Sequence, residues 1–120
     1  MKKILIVEDQ PHIARILNDV LARNGFDTYV ASNGENGVAK ARSLKPDLIL
    51  MDVMMPIKSG FDAAREIQEF GGLEDCRLIF LTAAEQETDR QQAAELGATE
   101  FITKPFSPRE VLHKVQSLLA

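Results

Sequence analysis

Four short runs of consecutive apolar residues stand out along the chain. They are Ile4–Val7, Leu48–Met51, Leu78–Leu81 and the shorter pair Phe101–Ile102. Because apolar and polar residues do not alternate within them, each run predicts a strand that is buried on both faces, as in a parallel sheet. A fifth segment, from Phe26 to Ala31, mixes polar and apolar residues and predicts a strand at the edge of that sheet.

Helical patterns lie between the predicted strands. The apolar residues from Ile13 to Leu21 recur at spacings that place them on one face of an α-helix, and those from Val111 to Leu119 do the same. Thinner apolar stripes predict helices over Gly60–Phe70 and Glu85–Leu96. Helices and strands therefore alternate along the chain.

Local signals mark several helix boundaries. The segments Ser32–Glu35 and Ser107–Glu110 have the form of capping boxes, and Pro108 occupies a favourable first helical position. Gly25 and Gly97 follow helical patterns, where glycine is typical of a helix end.

The spacing of the elements predicts the fold class. Strands begin near positions 4, 26, 48, 78 and 99, so a strand–helix unit repeats five times. Right-handed crossovers then favour an α/β fold, a doubly wound five-stranded parallel sheet between two helical layers. We expect one domain over residues 1–120. In such sheets the functional crevice lies beyond the carboxyl ends of the strands, where the strand order reverses.

Composition narrows the choice of function classes. The 120 residues carry a formal net charge of −4, which argues against direct binding of nucleic acid, since such surfaces are usually basic. The apolar runs are far shorter than the roughly 20 residues of a membrane helix, so we expect no membrane segment. A lone cysteine, Cys76, predicts no internal disulfide and a reducing, cytoplasmic location.

Polar side chains follow the predicted strands at their carboxyl ends. Glu8 and Asp9 follow the first strand, Asp52 the third, Thr82 the fourth and Lys104 the last. Three carboxylates on one rim repel one another unless a cation neutralises them. A hard divalent ion such as Mg²⁺ is the natural partner, and a carboxylate beside it can act as a nucleophile toward phosphorus.

Together these positions resemble the receiver domain of two-component response regulators. The resemblance rests on Glu8–Asp9, on Asp52 within Met51–Pro56 with Gly60 following, on Thr82–Ala83, and on Thr103–Phe106. It covers essentially the whole chain. It implies a flavodoxin-like fold with the strand order 2-1-3-4-5 of chemotaxis receivers.

The resemblance also implies a role for each acidic residue. Asp52 corresponds to the phosphoacceptor, and Mg²⁺ is the expected cofactor. Asp9, Asp52 and the backbone carbonyl of Met54 correspond to direct metal ligands, with Glu8 acting through water.

Four further residues correspond to the family's switch and phosphoryl-binding positions. Lys104 would bind the phosphoryl group, and the bond between Lys104 and Pro105 would be cis. Thr82 would move toward the phosphoryl group, and the ring of Phe101 would turn inward with it. Two simpler interpretations stay open: Thr82 as the N-cap of a capping box ending at Glu85, and Phe101 as a plain core aromatic.

The expected function is a signalling receiver that catalyses its own phosphorylation and dephosphorylation. Its partner would be a sensor histidine kinase or a histidine phosphotransfer domain, docking near Arg15, Asn18 and Phe106. Its output face would comprise the fourth helix, fifth strand and fifth helix, and its downstream effector is left unidentified. Met54 and Ala84, which bind water poorly, predict slow self-dephosphorylation.

Three other functions compete with this one. A flavin- or nucleotide-binding protein is disfavoured because Glu8–Asp9 presents negative charge where a phosphate would bind. An aspartate-based phosphohydrolase usually has a second acid two residues after its nucleophile, where this chain has Met54. A receiver-like interaction domain that works without phosphorylation is the main alternative.

Overall fold

The computed structural model describes residues 1–83 and 87–120. These residues form five strands and five helices in strict alternation. The strands are β1 (Lys3–Val7), β2 (Asp27–Ala31), β3 (Leu48–Asp52), β4 (Arg77–Thr82) and β5 (Glu100–Thr103). The helices are α1 (Pro11–Arg23), α2 (Gly34–Leu44), α3 (Gly60–Glu69), α4 (Glu87–Glu95) and α5 (Pro108–Leu119).

The five strands form one parallel sheet in the order β2-β1-β3-β4-β5. The predicted doubly wound fold and its strand order are therefore confirmed, as is the edge position of β2. The chain leaves β1 toward β2 on one side and later enters β3 on the other side. The strand order thus reverses between β1 and β3, and a crevice opens beyond their carboxyl ends.

Two apolar clusters fill the space between the sheet and its helices. Leu5, Val7, Ile49 and Met51 face α2, α3 and α4, whereas alternate residues such as Ile4 face α1 and α5. Because successive strand residues point to opposite faces, a strand covered on both sides needs apolar residues at every position. All five residues of β3 are buried, which explains why its sequence shows no alternation.

Helix ends follow the sequence signals with one correction. The Ser107 side chain accepts a hydrogen bond from the Glu110 backbone N–H, as the capping box predicts, and Gly25 has a positive φ of 90° after α1. The predicted box at Ser32–Glu35 is wrong by one residue, because the side chain of Asn33 caps α2 by accepting from the N–H of Asn36.

Two of the sequence predictions involve residues that lie outside the described ranges. The capping box from Thr82 to Glu85, like the start of the helix predicted at Glu85, includes residues outside the described ranges; Thr82 itself is the last residue of β4.

No helix in the described part of the chain combines the length and the apolar character needed to cross a membrane.

Candidate functional site

Three carboxylates converge beyond the carboxyl ends of β1 and β3. Glu8 and Asp9 follow β1, and Asp52 ends β3, which pairs directly with β1. One carboxylate oxygen from each of the three lies within 4.8 Å of the other two. Glu8 and Asp52 are buried, with exposed fractions of 1% and 2%, while Asp9 is half-buried. The strand-end argument from the sequence therefore places these residues together correctly.

Lys104 brings a positive charge into the same pocket. Its Nζ lies 3.0 Å from Glu8 Oε1 and 3.4 Å from Asp52 Oδ1. The backbone of Lys104 is held against the neighbouring strand, since its N–H donates to the carbonyl of Thr82 at 2.7 Å. The peptide bond between Lys104 and Pro105 is cis. Lys104 and Glu8 are 96 positions apart in the sequence, and only the assembly of the whole sheet brings them into contact.

The electrostatics of the pocket show an excess of negative charge. Burial raises the pKa of Asp52 to about 8, and hydrogen bonding and charge from Glu8 add to the rise, while Lys104 opposes it. For Lys104, burial lowers the pKa, but the hydrogen bond to Glu8 and the charge of Asp52 outweigh it and leave the pKa raised. One ammonium therefore does not balance the three carboxylates.

The donor set fits a hard divalent cation. Carboxylate oxygens are the ligands that Mg²⁺ prefers, and it is typically held by one or two carboxylates with water completing the shell. Glu8 Oε2 is buried and has no hydrogen-bond partner among the described residues, so a ligand or a metal-bound water would satisfy it. The N–H of Met54 lies 3.3 Å from Asp52 Oδ1, which keeps the Met54 backbone beside the carboxylates.

Gly60 has a physical role that its place in the sequence motif does not reveal. A Cβ atom at this position would lie 2.2 Å from the carbonyl oxygen of Asp52, far inside contact distance. The Gly60 N–H also donates to the carbonyl of Val53 at 2.9 Å. The absence of a side chain thus allows α3 to begin directly against the end of β3. The sequence shows only that a glycine follows the strand that ends at Asp52. The contact between Gly60 and the Asp52 carbonyl is visible only in the folded structure.

The two predicted switch residues lie on neighbouring strands. Thr82 is fully buried at the end of β4. Phe101 on β5 is half-buried and in register with Phe80, and it packs against the cluster beneath α4. The guanidinium carbon of Arg90 lies 5.4 Å from the Phe101 ring centroid. Phe101 therefore lies outside the acidic pocket, one strand away from Thr82.

An apolar groove adjoins the acidic pocket. It has a volume of about 410 Å³ and runs between the first turns of α1 and the loop after β5. Its lining comprises Ile13, Ile16, Ala83, Lys104, Pro105, Phe106 and Pro108. Lys104 is common to the groove and the pocket, so a partner seated in the groove would lie next to the carboxylates.

The candidate site is thus a crevice at the switch point of a doubly wound sheet, lined by three carboxylates and one lysine that could hold a divalent cation. Residues 4–116 match the family model described as the response regulator receiver domain. The chain belongs to this family, whose members are signalling modules of two-component systems.

Relatives and solved structures agree with this assignment. The chain is 41% identical to the alkaline phosphatase synthesis transcriptional regulatory protein PhoP of Bacillus subtilis and 38% identical to the transcriptional regulatory protein BaeR of Escherichia coli. Both matches cover 98% of this chain and 48% of the relative, so the chain spans about half the length of these curated relatives.

Two solved structures share the fold of this chain. The chemotaxis protein CheY4 of Vibrio cholerae superposes with a TM-score of 0.91 at 28% identity, with 98% of each chain covered. The response regulator TrrA of Thermotoga maritima, solved in complex with Mg²⁺ and BeF, gives a TM-score of 0.85 at 34% identity, with 98% of this chain and 99% of that one covered. The predicted receiver fold is confirmed.

Proposed function

We propose that this chain is the phosphoacceptor of a two-component or phosphorelay system, with Asp52 as the residue that is phosphorylated. The observation that carries this proposal is the packing of a buried Asp52 against Glu8, Asp9 and Lys104 at the switch point of the sheet. A carboxylate oxygen of Asp52 attacks the phosphorus of a phosphohistidine. The phosphorus–nitrogen bond to the imidazole breaks as the phosphorus–oxygen bond to Asp52 forms.

The neighbouring residues have separate tasks in this proposal. Asp9, Asp52 and the backbone carbonyl of Met54 would hold Mg²⁺ directly, and Glu8 would hold it through water. Bound there, the ion would neutralise the carboxylates and the phosphoryl oxygens, which otherwise repel one another. Lys104, already 3.4 Å from Asp52, donates hydrogen bonds to the phosphoryl oxygens and exchanges its present contact with Glu8 for them.

The partner that supplies the phosphoryl group is a sensor histidine kinase or a histidine phosphotransfer domain. Asp52 is only 2% exposed, so the donor imidazole must enter the pocket while the rest of the donor packs around its mouth. The apolar groove beside Lys104 provides such a surface, and it includes Phe106. Arg15 and Asn18 on α1 are the further contacts that we expect.

Phosphorylation is expected to change the surface formed by α4, β5 and α5. In this proposal Thr82 moves toward the phosphoryl group and the half-buried ring of Phe101 follows, so that the phosphoryl group selects one of two conformations. The relatives named above are transcriptional regulatory proteins, and we infer that the present domain controls a downstream partner in a comparable way. The domain itself, with a net charge of −4, is expected to act in the cytoplasm without contacting nucleic acid.

The test uses acetyl phosphate as the phosphodonor. The protein is incubated with it in the presence of Mg²⁺ or EDTA, and the intact mass is recorded with Asp52→Asn as the control. We expect a gain of one phosphoryl group that requires both Mg²⁺ and Asp52. Phosphorylation of Asp52→Asn to the same extent would overturn the assignment. If the protein neither gains a phosphoryl group nor binds Mg²⁺, a receiver-like interaction domain that works without phosphorylation is the better description.

A further inference from the structure

The loop between β3 and α3, residues 53–59, contains a strained turn. Ile57 has a positive φ of 73°, and the N–H of Lys58 donates to the carbonyl of Pro56 at 2.8 Å. A hydrogen bond that spans one residue with positive φ defines the rare and strained form of the γ-turn. Ile57 is 97% exposed and β-branched, so neither burial nor side-chain preference accounts for the turn. Other contacts must hold it.

Lys58, the next residue, is anchored through its side chain. Its Nζ lies 2.6 Å from Oε1 and 2.7 Å from Oε2 of Glu66, on the second turn of α3. The Lys58 side chain is only 23% exposed. The pair therefore joins the last part of the loop to the second turn of the helix that follows it, across eight residues.

The backbone of the loop is confined on two further sides. A Cβ at Gly34, the first residue of α2, would lie 2.8 Å from the carbonyl oxygen of Lys58, so α2 packs directly on the loop. The N–H of Gly60, the first residue of α3, donates to the carbonyl of Val53 and so joins the two ends of the loop. The loop is thus closed at its base by one backbone hydrogen bond, and near its α3 end it is packed against α2 and tied by the Lys58–Glu66 ion pair.

We propose that Lys58 and Glu66 are positioning residues for the metal site, and this inference rests on the Mg²⁺ site of the proposed function. By fixing the γ-turn, the pair fixes the course of the chain between Asp52 and α3, and with it the carbonyl of Met54. A ligand that is already in place when the ion arrives loses less conformational freedom on binding.

The direction of the change in Mg²⁺ affinity distinguishes a positioning role of the Lys58–Glu66 pair from a purely electrostatic effect of its charges. If Lys58 acted only through space, its removal would tighten Mg²⁺ binding, because a positive charge near the site would be lost. Removal of Glu66 would weaken binding for the same reason. Positioning predicts instead that loss of either partner weakens binding.

The experiment measures Mg²⁺ affinity by titration calorimetry on the full chain. Lys58→Met and Glu66→Gln are each expected to weaken binding roughly two- to fivefold, the range for a partly exposed ion pair. The double variant should be no weaker than either single variant, and the exchanged pair Lys58→Glu/Glu66→Lys should recover most of the affinity. Arg65→Met is the matched control, because Arg65 lies on the same helix and its ion pair, with the exposed Asp62, stays within that helix.

A second readout needs no metal. In EDTA, the amides of residues 58 and 60 are expected to exchange hydrogen faster in Lys58→Met than in the wild type, while the amides of β3 keep their rates. Unchanged or tighter Mg²⁺ binding by Lys58→Met would overturn the positioning role while leaving the metal site intact. Failure of the wild type to bind Mg²⁺ would overturn the metal site itself, and with it the inference.

Discussion

Replacing Asp52 with asparagine should stabilise the metal-free protein, and by an amount that grows with pH. Asparagine keeps the size of the side chain and an oxygen that accepts from the Met54 N–H, but it removes the charge. In the unfolded chain Asp52 ionises near its ordinary value of 3.8, whereas in the folded protein burial, together with Glu8, raises its pKa to about 8. The folded state therefore binds the proton more tightly than the unfolded state does.

The sign and the size of the effect follow from this difference. Because the folded-state pKa is the higher one, the stability contributed by Asp52 is fully present below about pH 3.8 and is lost as the pH rises through about 8. At pH 7 the wild type has lost about 4 kcal/mol relative to acidic solution, at about 1.4 kcal/mol per pH unit between the two pKa values. The asparagine side chain does not titrate, so the variant keeps that stability. We therefore expect Asp52→Asn to match the wild type near pH 4 and to exceed it by about 4 kcal/mol at pH 7.

The assay is urea unfolding followed by far-ultraviolet circular dichroism in EDTA at several pH values. The chain has no tryptophan, so the backbone signal is the suitable probe. Titrating groups that do not interact with Asp52 are common to both proteins and cancel in the difference between the two curves. Asp19→Asn, at an exposed position of α1, is the control and should show no such trend. A difference that is independent of pH, or a less stable Asp52→Asn protein at pH 7, would refute the reasoning.

Four further predictions test other features of the site. Ile57→Gly should raise the free energy of unfolding by up to about 1 kcal/mol in urea titrations, because glycine tolerates the positive φ and the exposed isoleucine loses no packing; a clear loss of stability would contradict the strained γ-turn. Gly60→Ala should lower the free energy of unfolding by more than about 2 kcal/mol, since a Cβ there overlaps the Asp52 carbonyl, and a neutral substitution would show that α3 shifts freely. Cys76 should resist a thiol reagent such as dithionitrobenzoate at pH 8, because burial and then Asp47 raise its pKa to about 12; rapid labelling of the folded protein would contradict this. Once phosphorylated with acetyl phosphate, the wild type should hold its phosphoryl group for much longer than seconds, and Met54→Asn should shorten that lifetime by orienting water. An unchanged lifetime of the phosphorylated Met54→Asn protein would show that Met54 is not the cause of the slow hydrolysis. Ala84, the other residue named for it, lies outside the described residues.

The sequence alone predicts most of the fold because the same physical constraint acts at every strand. A strand covered by helices on both faces must be apolar throughout, and β1, β3 and β4 show this directly. The carboxyl ends of parallel strands lie at one edge of the sheet, so the sequence places Glu8, Asp9 and Asp52 on the same rim. That they are neighbours on this rim depends on the direct pairing of β1 with β3. Strand order itself came from the family resemblance, since periodicity does not distinguish one order from another.

Local signals were less decisive where two residues could serve equally. Ser32 and Asn33 are both good helix caps, and the choice of Asn33 depends on where α2 packs. The raised pKa of the Cys76 thiol has no local signal in the sequence either, because it comes first from burial and then from Asp47, a residue distant in sequence.

By itself the sequence determined the order of the elements, the rim on which the polar residues gather and the chemistry those residue types favour. Only the tertiary structure decided which atoms meet: Lys104 with Glu8, Gly60 with the carbonyl of Asp52, and Lys58 with Glu66. The physical reason is the separation along the chain over which each kind of interaction acts. Hydrophobic periodicity and helix caps act over a few neighbouring residues, whereas ion pairs, close backbone contacts and the pKa of a buried carboxylate depend on groups that approach only when the sheet and its helices have packed.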